Sequence, residues 1–319
     1  MKKRISFSGL ILFITFFAAF FLSSCATGPT ADELRTKELF NRAEKKWWRL
    51  AGLAKMAISV DGDSIVYLEG GKGETVVLLH GFADSKDAWV DFAKPLTRSY
   101  HVVIPDLPGF GESTKRLYEN YNIDRQVGRL DRFVEALGQK RFHLAGNSMG
   151  GAIAAVYAAR FPRKVITLAL LDPMGVVALK IPPRVIETTG DYEKMLPHLF
   201  FRTPHLPEPF RKTMTKESFE EAMVARFKAA RRYNEIIWLD LAREDLSLGS
   251  FLPAIKAPVL IVWGDHDGIF DVSGASILAK GLKDHRTVIL EDTGHLPMTE
   301  KPAQTAAAYG NFLQSRQGM

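Results

Sequence analysis

The segment Gly146-Asn147-Ser148-Met149-Gly150-Gly151 follows the apolar run His143-Leu144-Ala145 and precedes an alanine-rich stretch. This spacing predicts a strand, a sharp turn and a helix, with Ser148 pushed out at the turn while glycines let strand and helix pass close together. A serine hydroxyl is a weak nucleophile until an imidazole takes its proton, and the imidazole needs a carboxylate to fix its tautomer and stabilise its charged form. Both partner types occur later in the chain, Asp267 in Gly264-Asp265-His266-Asp267 and His295 in Gly294-His295. Each stands just beyond a predicted strand. The Gly-x-Ser-x-Gly spacing alone is weak support for nucleophilic acyl transfer; the strand before it, the helix after it and the partners elsewhere give it weight.

These residues need a scaffold, and the hydrophobic periodicity supplies one. Residues 56–60 and 64–69 read as a hairpin around Asp61-Gly62-Asp63. Residues 75–79 and 101–105 are continuous apolar runs suited to strands covered on both faces, ending in His80-Gly81-Phe82 and Asp106-Leu107-Pro108-Gly109-Phe110-Gly111. Helical spacing marks residues 86–97, 123–137, 150–160, 273–282 and 304–314, while residues 141–145, 165–171, 258–263 and 286–290 read as strands. Such alternation implies an α/β fold with a mainly parallel sheet, helices on both faces and ligands beyond the carboxyl ends of the strands. The pattern breaks at residues 176–251, where a proline-rich stretch (181–210) precedes a helix-like one (217–243) carrying Phe219, Met223, Phe227, Ile236, Ile237 and Trp238. We read this as an inserted helical cap whose aromatics mainly form its own core and partly face substrate. The expected divisions are a signal at 1–24, a tether at 25–54, a core at 55–175 and 252–319, and the cap at 176–251.

The amino terminus carries Lys2, Lys3 and Arg4 before an apolar run over residues 10–22, the form of an export signal, with an uncleaved anchor helix as the alternative. Leu22-Ser23-Ser24-Cys25 resembles the lipobox of bacterial lipoproteins, which implies acylation of Cys25. Ala26 after it, by the same resemblance, suggests an outer membrane, facing periplasm or exterior. Cys25 is the only cysteine, so no internal disulfide is possible. The polar residues 30–48 are expected to lift the domain off the membrane, with Trp47 and Trp48 either at the interface or packed on the domain. The formal charge of +6 falls to +3 once Lys2, Lys3 and Arg4 are removed, too little to argue for nucleic acid. Gly109-x-Gly111 lacks the third glycine of a dinucleotide fingerprint, and no histidine or cysteine spacing fits a metal site. Neither cofactor nor metal is implied, and no obligate protein partner.

His80-Gly81-Phe82, the Asp106–Gly111 loop, the Ser148 turn, Gly264-Asp265-His266-Asp267 and Gly294-His295 together resemble the serine hydrolases of the α/β-hydrolase superfamily, over residues 55–315. Membrane-attached bacterial lipases and the membrane-bound monoacylglycerol lipases of animals are the most similar members. The resemblance implies Ser148 as nucleophile, His295 as general base and then acid, Asp267 as its orienting carboxylate, and the backbone amides of Phe82 and Met149 as oxyanion hole. Asp265, Asp172 and Asp292 are rival carboxylates: the first suits loop capping, the second ends a strand, and the third is too near His295 in sequence to reach its ring. The implied reaction is hydrolysis of a lipid or other acyl ester through an acyl-serine. Carbon–carbon hydrolysis of ring-fission products, whose enzymes share the Gly-Asn-Ser-Met-Gly-Gly turn, and a non-catalytic lipid-anchored binding protein remain open on sequence alone.

Overall fold

The computed structural model describes residues 30–244 and 246–316. The predicted signal and Cys25 lie outside the described residues. The strands are β1 (Ala54–Val60), β2 (Asp63–Gly70), β3 (Thr75–Leu79), β4 (His101–Pro105), β5 (Phe142–Asn147), β6 (Val165–Leu171), β7 (Val259–Gly264) and β8 (His285–Leu290). They form one sheet in the order β1-β2-β4-β3-β5-β6-β7-β8. The β1–β2 hairpin turns at Asp61 and Gly62, with φ 51° and 81°, the left-handed pair that matches strand twist in a two-residue turn. β2 is also antiparallel to β4, and all later pairings are parallel.

Among the described residues the α-helices are α1 (Ala31–Leu50), α2 (Val90–Leu96), α3 (Ile123–Ala136), α4 (Met149–Arg160), α5 (Thr189–Leu199), α6 (Glu208–Arg211), α7 (Lys216–Arg243), α8 (Ser273–Gly281), α9 (Pro297–Glu300) and α10 (Pro302–Gln314). β3, β5 and β7 are buried along their whole length because helices cover both faces. Phe133 of α3, Ile153 of α4 and Leu278 of α8 pack with Leu144 and Ile261 on one face. Phe92 of α2 and Phe312 of α10 pack with Ala145 and Leu260 on the other. Each buried aliphatic or aromatic side chain contributes roughly 1.5–3 kcal/mol, so these layers fix the heights of the strand ends that carry the site.

Helix α1 departs from the tether expected for residues 25–54. Phe40, Ala43, Glu44 and Trp48 are buried on it. Phe40 packs on Phe210 and Phe219 of the cap, while Trp47 Nε1 and Trp48 Nε1 donate to Asp91 and Asp87, each at 2.7 Å. Both tryptophans are therefore packed on the domain. Among the described residues no helix is long and apolar enough to cross a membrane.

Helices α5, α6 and α7 lie between β6 and β7. The sequence reading gave no helix in the proline-rich part, yet Thr188 starts α5 with a capping box, its hydroxyl accepting from the Asp191 amide while the Asp191 carboxylate accepts from the Thr188 amide. Pro197 falls in the last turn, where its missing N–H removes one i→i−4 bond of the helix. In α7, Phe219 and Met223 face Phe40, whereas Ile237 and Leu241 join the main core.

Candidate active site

Ser148 joins β5 to α4 in a left-handed backbone conformation, φ 54° and ψ −119°. Such a conformation costs about 1–3 kcal/mol and persists only where the surroundings hold it. Here the Ser148 amide donates to Leu171 O, and its carbonyl accepts from the amides of Ala152 and Met174, all at 3.0 Å. A Cβ on Gly146 would stand 2.2 Å from the Gly150 carbonyl oxygen, and one on Gly150 would stand 2.4 Å from the carbonyl oxygens of Leu79 and His80. Only glycine fits at either position. The result is a serine at the carboxyl end of the central strand, 9% exposed.

The loops after β7 and β8 bring Asp267 to His295. Asp267 Oδ2 lies 2.9 Å from His295 Nδ1, and both residues are buried. The other Asp267 oxygen accepts from the amides of Ile269 (2.7 Å) and Phe270 (3.0 Å), which fix the carboxylate in place. With Nδ1–H given to Asp267, the proton-accepting nitrogen of the ring is Nε2. Asn147, the residue before the serine, donates from Nδ2 to the carbonyls of His295 (3.0 Å) and Leu171 (3.2 Å), tying the histidine loop to the serine turn. The His295 amide is held by Leu199 O of the cap at 2.8 Å. Among the described residues Ser148 Oγ makes no hydrogen bond; serine–histidine contacts in empty sites are often long and tighten when substrate binds.

Of the rival carboxylates, Asp265 accepts from the Thr293 amide and pairs with His266, as a loop-capping residue does. Among the described residues the carboxylate on the His295 ring is that of Asp267, and Asp292 makes no hydrogen bond there. Asp172 is different. It ends β6 fully buried, with Oδ1 accepting from the Gly264 amide at 2.9 Å and Oδ2 buried without a partner. Asp172, Asp267 and His295 each offer one ligand atom within 4.8 Å of the others, the one grouping among the described residues that could hold a metal. The direct pairing of His295 with Asp267 accounts for two of those three groups without an ion.

Among the described residues the amides of Phe82 and Met149 donate no hydrogen bond, Met149 because it opens α4 and has no carbonyl one turn back. His80 braces this loop through Nδ1 on Gly81 O (2.7 Å) and Nε2 accepting from the Leu107 amide (3.0 Å). Burial pushes its pKa below the usual histidine value, in keeping with a neutral ring. Asp106 accepts from Lys86, both amide and ammonium, and from the Glu112 amide, so it ties loops together. The Phe82 ring packs between Phe110 and Trp238 of α7, with centroids 6.0 and 5.8 Å away. Three supports were not foreseen: Asn147, Lys180, whose ammonium donates to Asp267 O at 2.7 Å, and Glu300, which accepts from the Gly294 amide at 2.7 Å. Asn147 could have been noticed from its place in the turn motif. Lys180 and Glu300 carry no signal in the sequence.

The comparisons with known proteins agree with this fold. The profile of the family described as alpha/beta hydrolase fold matches residues 74–302. Lipase 1 of Psychrobacter immobilis is 32% identical over 313 residues, covering 93% of this chain and 95% of that one. The human monoacylglycerol lipase ABHD6 is 32% identical over 267 residues, covering 77% of each chain. A solved structure described as a membrane phospholipase A, a novel bacterial virulence factor, superposes with a TM-score of 0.82 at 36% identity, covering 98% of both chains. A mainly parallel sheet with a serine turn at its centre, a buried imidazole–carboxylate pair beside it and a matching profile over most of its length make this chain a member of the α/β-hydrolase fold family.

Proposed function

We propose that the protein hydrolyses carboxylic esters of lipids, acylglycerols foremost, through an acyl-serine intermediate. The observation that carries this reading is the buried His295 Nδ1–Asp267 Oδ2 contact of 2.9 Å, tied to the Ser148 turn by Asn147. His295 Nε2 takes the Ser148 proton as Oγ adds to the ester carbonyl, and Asp267 stabilises the imidazolium that forms. The amides of Phe82 and Met149 receive the developing oxyanion in a site shielded by the cap. The imidazolium then protonates the departing alcohol, leaving an acyl-serine. Water adds to the acyl carbon with its proton passing to Nε2, and collapse releases the fatty acid and restores Ser148. The lipase relatives support the ester class, and the apolar contact of Trp238 of the cap with Phe82 of the core suits an acyl chain. The test is hydrolysis of monoacylglycerol and triacylglycerol measured side by side with a series of simple acyl esters. Turnover of at least one glyceride, abolished in Ser148→Ala, is expected; a folded protein that cleaves no ester would overturn the reading.

The same proposal places the protein on a bacterial envelope membrane through acylated Cys25. Its support is the charged head, apolar run and Leu22-Ser23-Ser24-Cys25 sequence. Two or more acyl chains on one residue give stable anchoring, whereas one gives marginal binding. Labelled palmitate should enter the protein in a bacterial host and be lost in Cys25→Ala; equal labelling of both would remove the lipidation claim.

A further inference from the structure

Two fully buried carboxyl groups stand side by side behind His295, and they are not equally provided for. Asp267 has three N–H donors: the Ile269 and Phe270 amides and the imidazole. Asp172 has one, the Gly264 amide on Oδ1, and its Oδ2 is buried with nothing to bond. The Asp172 backbone is in the left-handed region, φ 46°, which an aspartate adopts more readily than most residues. Two ionised carboxylates this close in a dry site repel strongly, so one of them takes up a proton. The better-solvated partner keeps the charge. Asp267 has three donors against one, so the proton belongs to Asp172, and an Oδ2–H would satisfy the orphaned oxygen.

We propose that Asp172 is a positioning residue, held as a neutral carboxylic acid whose Oδ2–H donates to the Asp267 carboxylate, so that His295 faces one negative charge shared by two carboxyl groups. Burial first, and then the Asp267 charge, hold the Asp172 carboxyl well above the usual carboxylate range. The titratable groups that face it are Asp267 from the loop after β7 and His295 from the loop after β8; the Lys180 ammonium lies beyond Asp267, on its carbonyl. The fourth donor on Asp267 completes its hydrogen bonding and fixes the plane of the carboxylate against the imidazole. It also keeps a second charge from over-stabilising the imidazolium, which must give its proton back to the leaving alcohol.

The inference rests on the proposed ester hydrolysis for its kinetic arm and on nothing but the folded protein for its spectroscopic arm. In the infrared at neutral pH, where Glu44 is partly protonated as well, the difference spectrum of wild type minus Asp172→Asn should show the carbonyl stretch of one further protonated buried carboxyl. The side-chain amide introduced by Asp172→Asn can still donate to Asp267 and accept from Gly264, so this variant should keep kcat within about threefold and leave the acid limb of the kcat/KM pH profile in place. Asp172→Leu, if folded by circular dichroism, should lose about 10- to 100-fold in kcat with little change in KM, the loss expected for a hydrogen bond to a charged group. Absence of the infrared band would overturn the proposal whatever the activity. So would an acid limb that moves down by about one unit in Asp172→Asn, which would mean that a negative charge had been removed.

Discussion

Asp267→Asn keeps the outline of the side chain beneath His295 but offers the imidazole an uncharged acceptor and invites the wrong tautomer, with the proton on Nε2 where a lone pair is needed. On the proposed mechanism, ester kcat should fall about 10³- to 10⁴-fold while the protein stays folded, and a fall below tenfold would show that another group orients the ring. The serine turn makes a separate demand on shape. Gly150→Ala puts a methyl 2.4 Å from the backbone carbonyl oxygens of Leu79 and His80, a contact that only a movement of β3 or α4 can relieve. Destabilisation of roughly 1–3 kcal/mol or more is expected from denaturant melts, together with lost activity; an unchanged melt would mean that the turn is looser than its geometry indicates. Ser148, Asp267 and His295 stand out in the sequence because the proposed chemistry demands those residue types and strand ends present them, and the structure pairs the latter two. Asp172 was legible only as a rival. What distinguishes it is the buried, unpartnered oxygen beside a second carboxyl, and that exists only once three separate loops meet.

The elements that carry these residues were mostly readable, since β3, β5, β6 and β7 are buried runs with no competing helical period and residues 123–137 end at a glycine with φ 71°. Two departures have physical causes. Prolines hid α5, whose start is set by the Thr188–Asp191 capping box; Thr188→Ala should cost about 1 kcal/mol of local stability, visible as faster amide exchange in 189–199 with the core unaffected. Unchanged exchange there would remove the cap from the account. The polar face of α1 suggested a free tether, yet its buried Glu44 pairs with Arg226 of α7 at 2.6 Å. Burial, and then the nearby Asp87, raise Glu44 to about 7 in spite of that partner. Between the unfolded value of 4.5 and about 7 the folded chain holds a proton that the unfolded chain has released, so this group's contribution to stability falls as pH rises through that window. Glu44→Gln should shrink the fall in Tm over the window, and an equal fall in both proteins would show that Glu44 does not titrate there.

At the scale of the whole molecule, helix α1 touches both the core, through Trp48 and Asp87, and the cap, through Phe40 and Arg226. The segment nearest the proposed membrane anchor is therefore in contact with the cap. The cap also reaches the chemistry directly, since Leu199 O holds the His295 amide and Trp238 packs on Phe82. Cap, core and amino-terminal helix thus share one set of contacts around the Ser148 turn. The central claim is that Ser148 is a nucleophile made reactive by His295, and covalent labelling reads it most directly. The folded protein is treated with a serine-directed fluorophosphonate and the modified peptide is identified by mass spectrometry. The account expects one adduct, on Ser148, absent in Ser148→Ala and slowed by orders of magnitude in His295→Ala. A folded protein that takes no label at Ser148, or that labels equally fast without His295, would contradict it.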